Sequence, residues 1–184
     1  MKFVIQRVKN AGVSIDGDTY SSINKGLLVF FCAESGDENG VEISGKKLSP
    51  DEVLTHFANK ILKLRIFEDE NGKMNRSLLD INGEILVVSQ FTLAANCKKG
   101  NRPSFENALA PDLAKKMYED FINILKAQGT RPETQGSCPE TCASHSEIQT
   151  GRPETQPIIV KTGVFAADMQ VSLINDGPVT IIMP

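Results

Sequence analysis

The run "SQFTL" at residues 89–93 places hydroxyl and amide side chains together in a strongly β-like segment. As a strand, it turns Ser89, Phe91 and Leu93 to one face and Gln90 and Thr92 to the other. Gln90 and Thr92 would then line the floor of a polar cleft, where nearby N–H groups could stabilise an oxyanion. The alternative is an ordinary half-exposed strand, a setting that suits threonine.

The sequence offers this run no obvious catalytic base. The chain has 184 residues and two histidines, His56 and His145, and neither lies in a recognisable motif. We therefore do not expect a Ser-His or Cys-His nucleophile pair, and we interpret His56 as an ordinary helix residue. A G-x-S-x-G elbow, a Walker A loop and a G-x-G-x-x-G motif are also absent from the sequence. Catalysis would have to use backbone donors, hydroxyls, amides or a group on the substrate.

Metal chemistry has one weak candidate in the sequence. Cys138, Cys142 and His145 have C-x3-C-x2-H spacing, but a fourth ligand is missing and the surrounding sequence is of low complexity. We interpret the segment as a solvated loop and expect neither a metal nor a cofactor.

The run "CKKGNRPSF" is a candidate contact for phosphate. It carries Lys98, Lys99 and Arg102 without an acidic residue. The whole chain has a net charge of −3, which argues against nucleic-acid binding through overall charge but permits a local basic patch. The loop is either an ordinary solvated loop or the place where an acidic protein contacts phosphates.

The closing run "INDGPVTIIMP" predicts a hairpin with an awkward turn. Asp176-Gly177 is a good turn signal, because glycine adopts positive φ at little cost. Pro178 lacks an N–H for the sheet and restricts the residue before it. We expect "MQVSLI" and "VTIIM" to form the two flanking strands.

Two helices are predicted. Ser49, Pro50 and Glu52 form a capping box at the start of the first helix. The second helix begins near Pro111 and ends at Gly129. Their apolar positions recur at helical spacing, in the first helix at Val53, Phe57 and Ile61 and in the second at Leu113, Met117, Phe121 and Leu125.

The remaining segments are mostly strands. "KFVIQRV" alternates, "VSIDGDTYSSI" and "LRIFEDENGKM" predict hairpins, and "GLLVFFC" predicts a strand buried on both faces. The charged, glycine-rich run "AESGDENGVEISGKK" predicts a loop. Strands outnumber helices without regular alternation, so we expect a single α+β domain over residues 1–184, with a mostly antiparallel sheet or barrel.

One segment, at about residues 128–157, departs from this pattern. It contains "RPETQ" at 131–135 and again at 152–156, and large apolar residues are scarce. Such a composition buries too little surface to offset ordering entropy, so we expect a disordered or loosely ordered surface insertion.

The sequence also predicts the setting in which the chain works. It has no long apolar N-terminal region and no run near the ~18 residues of a membrane span. We expect a soluble cytoplasmic protein with no membrane partner. Its cysteines would then be free thiols: Cys32, Cys97, Cys138 and Cys142.

Several segments together resemble the D-aminoacyl-tRNA deacylase family. In chain order they are "MKFVIQRV", "NKGLLVFF", "LRIFEDENGKMNRSLLD", "LVVSQFTL", "KKGNRPSF" and "ADMQVSLINDGPVT". "SQFTL" alone is weak, but paired with "NDGPVT" it is specific. The resemblance leaves out two extra stretches, roughly 34–50 and 128–157.

The resemblance implies a homodimeric hydrolase without metal or cofactor, acting in translation quality control. It would cleave the ester that joins a D-amino acid to the terminal adenosine of tRNA, and glycine mischarged on tRNA is a further possible substrate. The matching catalytic residues are Ser89, Gln90, Phe91 and Thr92, and those for substrate binding and chiral selection are Gly177, Pro178 and Arg7, to which we add Met169. The basic loop at Lys98, Lys99 and Arg102 would bind the tRNA.

The resemblance also explains the Gly-Pro step. In the family this step is a cis peptide that reaches into the partner subunit's site. A cis bond at Gly177-Pro178 would aim two carbonyls to the same side, where they could accept the α-amino group and exclude an L side chain. Only about 5–6% of X-Pro bonds in folded proteins are cis, so this expectation depends on the resemblance.

The sequence departs from the family pattern at two places. Ala166 stands where the family usually has glycine, which would tighten the edge of the pocket. The "RPETQ" insertion has no family counterpart.

Mechanism and function each keep alternatives at this stage. The ribose 2′-hydroxyl of the tRNA could assist the attack, or Thr92 could act as a covalent nucleophile. A non-catalytic RNA-binding module using Lys98, Lys99 and Arg102 and a small-molecule esterase using Thr92 or Ser89 are the rival functions.

Overall fold

The computed structural model describes residues 1–98, 100–129 and 157–184. Lys99, the candidate zinc ligands Cys138, Cys142 and His145, and nearly all of the "RPETQ" insertion lie outside the described residues. The predictions made for them therefore stay predictions.

The described chain forms a curled sheet, two long helices and two small hairpins. The strands are β1 (Lys2–Ile15), β2 (Asp18–Ile23), β3 (Gly26–Cys32), β4 (Val41–Ile43), β5 (Lys46–Leu48), β6 (Phe67–Glu68), β7 (Met74–Arg76), β8 (Glu84–Ser89), β9 (Val160–Thr162) and β10 (Gln170–Met183). The helices are α1 (Pro50–Leu62) and α2 (Pro111–Gly129), and short 3-10 turns span Asp37–Asn39 and Phe91–Ala94.

The main sheet is mixed, which corrects the prediction of a mostly antiparallel sheet. Its order is β10-β1-β3-β8-β9, with β2 also paired to β1. β1 is antiparallel to β2, β3 and β10, whereas β8 is parallel to both β3 and β9. Parallel neighbours need a long crossover, and α1 and α2 lie in the two crossovers that flank β8. The predicted α+β class and the two helices are confirmed.

The sheet curls into a nearly closed barrel with a core on each face. Ser21 Oγ of β2 donates to Thr162 O of β9, which brings the two ends of the curl together. Along β3, Leu27 and Val29 pack in the core beneath the helices, whereas Leu28 packs in the core inside the curl. This alternation explains why "GLLVFFC" is apolar without a break and confirms that it is buried on both faces.

The helices begin as the sequence predicts. Ser49 Oγ accepts the N–H of Glu52, and the Glu52 carboxylate accepts the N–H of Ser49. In α2, Met117, Phe121 and Leu125 are buried as expected. Leu113 is instead 45% exposed, because it lies in the first turn of the helix, before the buried stripe begins.

The stretch predicted as a loop between β3 and α1 contains local structure. It forms the 3-10 turn at Asp37–Asn39 and the small β4–β5 hairpin. Ser44 and Gly45, both at positive φ, make its two-residue turn. The predicted loop is thus partly wrong, because that turn pairs the short strands on either side of it.

The prediction of a carboxyl-terminal hairpin is also wrong, because β10 is one strand and both of its halves pair with β1. Gln6 pairs with Thr180 and Val8 with Asn175, so residues 176–179 lie opposite Arg7 alone as a bulge. Gly177 has a φ of +115°.

No peptide bond among the described residues is cis, so the bond between Gly177 and Pro178 is trans. The predicted cis step is wrong for this structure. A bulge accommodates the extra residues while β10 keeps its direction, so no tight reversal of the kind that cis proline serves is present. The expectation that a cis bond aims two carbonyls to the same side is therefore wrong as well.

None of the helices in the described part of the chain is long and apolar enough to cross a membrane.

Candidate active site

A cleft of about 700 Å³ opens where β8 ends. Ser89–Phe91 form one side of it, Phe105 and Ala108–Pro111 a second, and Phe165–Met169 a third. The structure thus brings the predicted residues Ser89, Gln90, Phe91 and Met169 together, whereas Thr92, predicted with them, is not among the residues that line the cleft. The volume of the cleft lies in the usual range of small-molecule sites.

The "SQFTL" run does not continue as a strand. β8 ends at Ser89, the N–H of Gln90 donates to Phe31 O at 2.8 Å, and Phe91–Ala94 form a 3-10 turn. The predicted alternation of faces is therefore wrong. A 3-10 turn presents its first N–H groups without intrahelical acceptors, which a strand does not.

Two such N–H groups belong to Phe91 and Thr92. The N–H of Leu93 donates to Gln90 O at 3.2 Å, but no acceptor for Phe91 N or Thr92 N occurs among the described residues, and Gln90 provides no side-chain cap. Phe91 and Thr92 are both exposed. The turn can thus offer two adjacent donors to an oxyanion.

The Thr92 hydroxyl is engaged by its neighbour. Gln90 Nε2 donates to Thr92 Oγ1. Among the described residues that line the cleft there is no histidine, lysine or cysteine, and Asp168 is the one titratable side chain. Lys2 Nζ donates to Leu93 O of the same turn, but it is paired with Glu34 at 2.9 Å.

Cys32 lies behind the turn. Its Sγ is 3.6 Å from Phe91 O and 3.5 Å from Ala33 O, and the residue is buried. Burial, with the nearby charge of Glu34, raises the pKa of this thiol. Cys32 therefore stays a neutral thiol at physiological pH and is not a nucleophile. Cys97, also a free cysteine, is exposed.

An aromatic pair stands at the mouth of the cleft. The rings of Phe91 and Phe105 meet edge to face with centroids 5.2 Å apart, and Phe91 is 60% exposed. Phe105 was not among the predicted site residues, although it is the last residue of the run "CKKGNRPSF". The available signal was an aromatic residue between two polar ones in a loop otherwise free of large apolar groups.

The third wall is fixed by a buried tyrosine. Tyr118 of α2 donates its hydroxyl proton to Val87 O at 2.8 Å, and the N–H of Gly163 donates to the same oxygen at 3.0 Å. Burial raises the pKa of Tyr118, so the hydroxyl remains a donor. These bonds hold the end of β9, from which residues 164–169 turn into the cleft.

Ala166 in this wall adopts a φ of +61°, in the left-handed region that disfavours residues with a Cβ. A glycine would adopt this conformation without strain, so the backbone here has the shape that glycine suits. The methyl of Ala166 lies at the cleft.

Arg7 is buried away from the cleft, 4% exposed. Its Nε donates to Asp176 O at 3.0 Å and lies 3.3 Å from Asp176 Oδ2, and Nη1 donates to Ile66 O. A Cβ on Gly177 would approach Arg7 Nη2 to 2.5 Å. We call residues 176–178, held by Arg7, the Gly-Pro corner.

The single chain does not bring the Gly-Pro corner to the cleft. Neither Arg7, Gly177 nor Pro178 lines it, and Gly177 and Pro178 are exposed. The predicted site residues therefore form two separate groups within one described chain.

The basic loop is ordered at its base. Asn96 and Ser104 exchange backbone hydrogen bonds of 2.7 and 3.0 Å, which closes the loop next to Phe105. Lys98 and Arg102 are exposed within it. The loop thus stands beside the mouth of the cleft.

The family model and the curated relatives that match this chain carry closely related descriptions. A family model described as "D-Tyr-tRNA(Tyr) deacylase" matches residues 4–184. A curated relative from Thermosipho africanus, named D-aminoacyl-tRNA deacylase, is 44% identical over 183 residues, covering 100% of this chain and 96% of the relative. One of the same name from Lactobacillus acidophilus is 45% identical over 183 residues, covering 100% and 99%.

Two solved structures are also similar. One, named "c-Myc DNA Unwinding Element Binding Protein", has a TM-score of 0.72 and 34% identity, covering 100% of this chain and 98% of that one. The other is described as a probable eukaryotic D-amino acid tRNA deacylase. It has a TM-score of 0.69 at 21% identity, covers 99% and 97%, and supports the fold alone.

Proposed function

Because this chain belongs to the D-Tyr-tRNA(Tyr) deacylase family, we propose that it hydrolyses the ester joining a D-amino acid to the terminal adenosine of tRNA. The products are the free D-amino acid and free tRNA. The observation that carries the proposal is a pair of N–H groups, at Phe91 in the cleft wall and at Thr92 next to it, that have no acceptor among the described residues. A charged-tRNA substrate would place the reaction in the cytoplasm.

The N–H groups of Phe91 and Thr92 act on the transition state. Attack of water on the ester carbonyl produces a tetrahedral oxyanion, and the turn supplies two donors whose positions are fixed before the reaction begins. An oxyanion-hole donor is worth about 2.7–4 kcal/mol in characterised hydrolases. This stabilisation requires no ionisable side chain.

Proton transfer in this reaction falls to the substrate. The described residues that line the cleft include no imidazole or amine, and Gln90 donates to the Thr92 hydroxyl. The ribose 2′-hydroxyl, adjacent to the ester, is within reach of the attacking water and assists its activation. Thr92 as a covalent nucleophile is the competing mechanism.

Thr92→Ala distinguishes these mechanisms. It removes the hydroxyl and keeps the N–H, so deacylation should stay within about tenfold of wild type, because both oxyanion donors and the substrate's 2′-hydroxyl remain. Single-turnover deacylation of D-tyrosyl-tRNA measures the effect. An acyl-enzyme trapped at Thr92 in the wild type, or a folded but inactive variant, would instead support Thr92 as the covalent nucleophile.

The Gly-Pro corner completes the cleft of a second copy in a homodimer. Its exposure, its separation from its own cleft and the fixed Arg7 guanidinium behind it support this assignment. Met169, in the cleft, contacts the same bound aminoacyl group. The backbone of Gly177 and Pro178, held by Arg7, would restrict the space beside the α-carbon of that group and so disfavour an L side chain.

Glycine attached to tRNA has no side chain for the corner to exclude. Mischarged glycyl-tRNA would therefore be a substrate as well. Lys98, Lys99 and Arg102 hold phosphates near the acceptor end, which positions the ester without selecting the amino acid.

Deacylation of matched D- and L-tyrosyl-tRNA tests the proposal directly. We expect turnover of the D form, at least a hundredfold slower turnover of the L form, and loss of the 3′ ester as the sole change in the tRNA. Binding of both forms without turnover would indicate an RNA-binding module. Equal turnover of a free D-tyrosine ester would indicate a general esterase.

A further inference from the structure

A second cavity, of about 470 Å³, lies along the carboxyl-terminal half of α1. It is lined by His56, Asn59, Lys60, Lys63, Leu64 and Arg65, which we call the α1 groove. None of these residues is acidic. None of these residues has a role in the deacylation mechanism described above.

The spacing of the groove residues presents them together. Positions 56, 59, 60 and 63 recur at three- and four-residue intervals, so they share one face of the helix. The opposite face, with Phe57, Ala58 and Ile61, is buried in the core beneath the sheet. The lysines are therefore held at the surface by the packing of the helix that carries them.

The charges of the α1 groove are not neutralised locally. Among the described residues, Lys60 and Lys63 make no ion pair, whereas Lys115 and Lys116 of α2 pair with Glu119 and Asp120. Like charges at this spacing destabilise a helix by a few tenths of a kcal/mol, so an external anion would relieve a cost that the fold already bears.

Arg65 adds a cation of fixed direction. Its Nε donates to Asn75 O at 2.8 Å and its Nη2 to Asn75 Oδ1 at 2.9 Å. A guanidinium held in this way loses less rotamer freedom when it meets a phosphate than a free lysine does.

We propose that the α1 groove binds the phosphate backbone of the tRNA, at a place distinct from the basic loop. This inference rests on the proposed function. A chain with a net charge of −3 holds a polyanion only through local clusters of cations, and the groove is such a cluster without a counter-charge in its lining.

The groove is also well placed relative to the Gly-Pro corner. Ile66, the residue after Arg65, accepts a hydrogen bond from Arg7, whose Nε binds Asp176. Since the corner enters the cleft of the second copy, the groove flanks that cleft. A tRNA whose 3′ end occupies it would pass phosphates across the groove.

The test compares two double variants with the same loss of charge. Lys60→Ala/Lys63→Ala removes the groove lysines, and Lys115→Ala/Lys116→Ala removes the paired lysines of α2. We expect the groove variant to raise the Kd for uncharged tRNA roughly tenfold at ~150 mM salt and to flatten the plot of log Kd against log salt by about one to two units. The α2 variant should change neither appreciably.

A substrate without phosphates separates the groove from the cleft. The groove variant should hydrolyse D-tyrosyl-adenosine at the wild-type rate and show the raised KM only on D-tyrosyl-tRNA. Lys60→Arg/Lys63→Arg, which keeps the charge, should bind tRNA as wild type does.

Equal tRNA affinity and salt slope for the two alanine variants would overturn the proposal, as would an equal loss on D-tyrosyl-adenosine. Failure of the wild type to hydrolyse either ester would refute the proposed function instead. The binding measurement on uncharged tRNA does not depend on that outcome.

Discussion

At the scale of single residues, the role of the Phe91 backbone N–H as an oxyanion donor can be tested by substitution. It is the first residue of a 3-10 turn, a position where proline is tolerated, and Gln90 before it has an extended φ of −146° and ψ of 82°. Phe91→Pro would therefore remove the N–H while keeping the turn. Phe91→Ala removes the ring and keeps the N–H, so it is the matched control.

We expect Phe91→Pro to deacylate D-tyrosyl-tRNA about a hundredfold more slowly than Phe91→Ala, because one oxyanion donor is lost. Single-turnover rates measure the difference, and circular dichroism checks the fold. Equal rates for the two folded variants would remove the Phe91 N–H from the mechanism.

Ala166 is a residue whose backbone and side chain disagree. A Cβ at left-handed φ costs about 1–2 kcal/mol, and glycine loses about 0.4–1 kcal/mol through the entropy of the unfolded chain. Ala166→Gly should thus leave the free energy of unfolding unchanged or raise it by up to about 1 kcal/mol. Ala167→Gly, beside it at ordinary φ, should lower it by about 0.5–1 kcal/mol.

Urea unfolding of the two Ala→Gly variants measures this contrast. If Ala166→Gly is as destabilising as Ala167→Gly, the strain at Ala166 is not real. If the strain is real, the missing methyl also widens the cleft, and D-aminoacyl-tRNAs with large side chains should gain rate relative to small ones.

At the scale of elements, the Tyr118 hydroxyl of α2 bonds to both strands from which the cleft walls extend, at Val87 O of β8 and at Gly163 O after β9. Tyr118→Phe leaves Val87 O with the N–H of Gly163, so the free energy of unfolding should fall by only about 1 kcal/mol. The end of β9 keeps the bond from Gly163 N–H to Val87 O but loses the 3.5 Å bond from the Tyr118 hydroxyl to Gly163 O, so the wall at 164–169 is held less firmly and kcat/KM should fall several-fold. Since burial raises the Tyr118 pKa, the pH profile should keep its shape.

Tyr20→Phe is the control for this change, because Tyr20 is 54% exposed. A lower stability with unchanged kcat/KM would make Tyr118 a purely structural residue.

The elements also show what the sequence could and could not predict. The capping box at Ser49 and Glu52 and the buried stripes of the helices were predictable, because they depend on residues within one or two turns. "EILVVS" reads as a buried strand in any sheet, so its parallel pairing with β3 and β9 depends on tertiary crossovers that no local pattern contains.

The local structure around the proposed site residues was not predictable from the sequence. "SQFTL" has β-like residues throughout, yet the strand ends at Ser89, where Gln90 still bonds to Phe31 O and the turn begins. Asp176-Gly177 is compatible with a hairpin turn and with a bulge. The bulge forms because β1 is long enough to pair with both halves of β10.

At the scale of the whole molecule, the separation of cleft and corner is the central fact. If the corner is the chirality filter that we propose, a second copy is needed to bring it to a cleft. Within one chain the buried Arg7 holds the corner through Asp176 O and Ile66 O, so the shape of the corner does not depend on a partner.

Mixing two defective proteins tests this arrangement. Phe91→Pro damages the cleft, and Gly177→Ala damages the corner, because its methyl would meet Arg7 Nη2 at 2.5 Å and force a shift. Each protein alone should deacylate slowly. In a mixed dimer the intact cleft of the Gly177→Ala copy receives the intact corner of the Phe91→Pro copy, so one complete site forms.

After equal amounts are unfolded and refolded together, random pairing makes about half of the dimers mixed, each with one good site. About a quarter of the wild-type D-tyrosyl-tRNA deacylase activity should therefore return, with rejection of L-tyrosyl-tRNA intact, because the restored site has a native corner. Separately refolded proteins, mixed only for the assay, are the control. If co-refolding restores no activity although light scattering shows dimers, cleft and corner do not meet across the two copies, and the chirality filter must lie within the cleft of each chain.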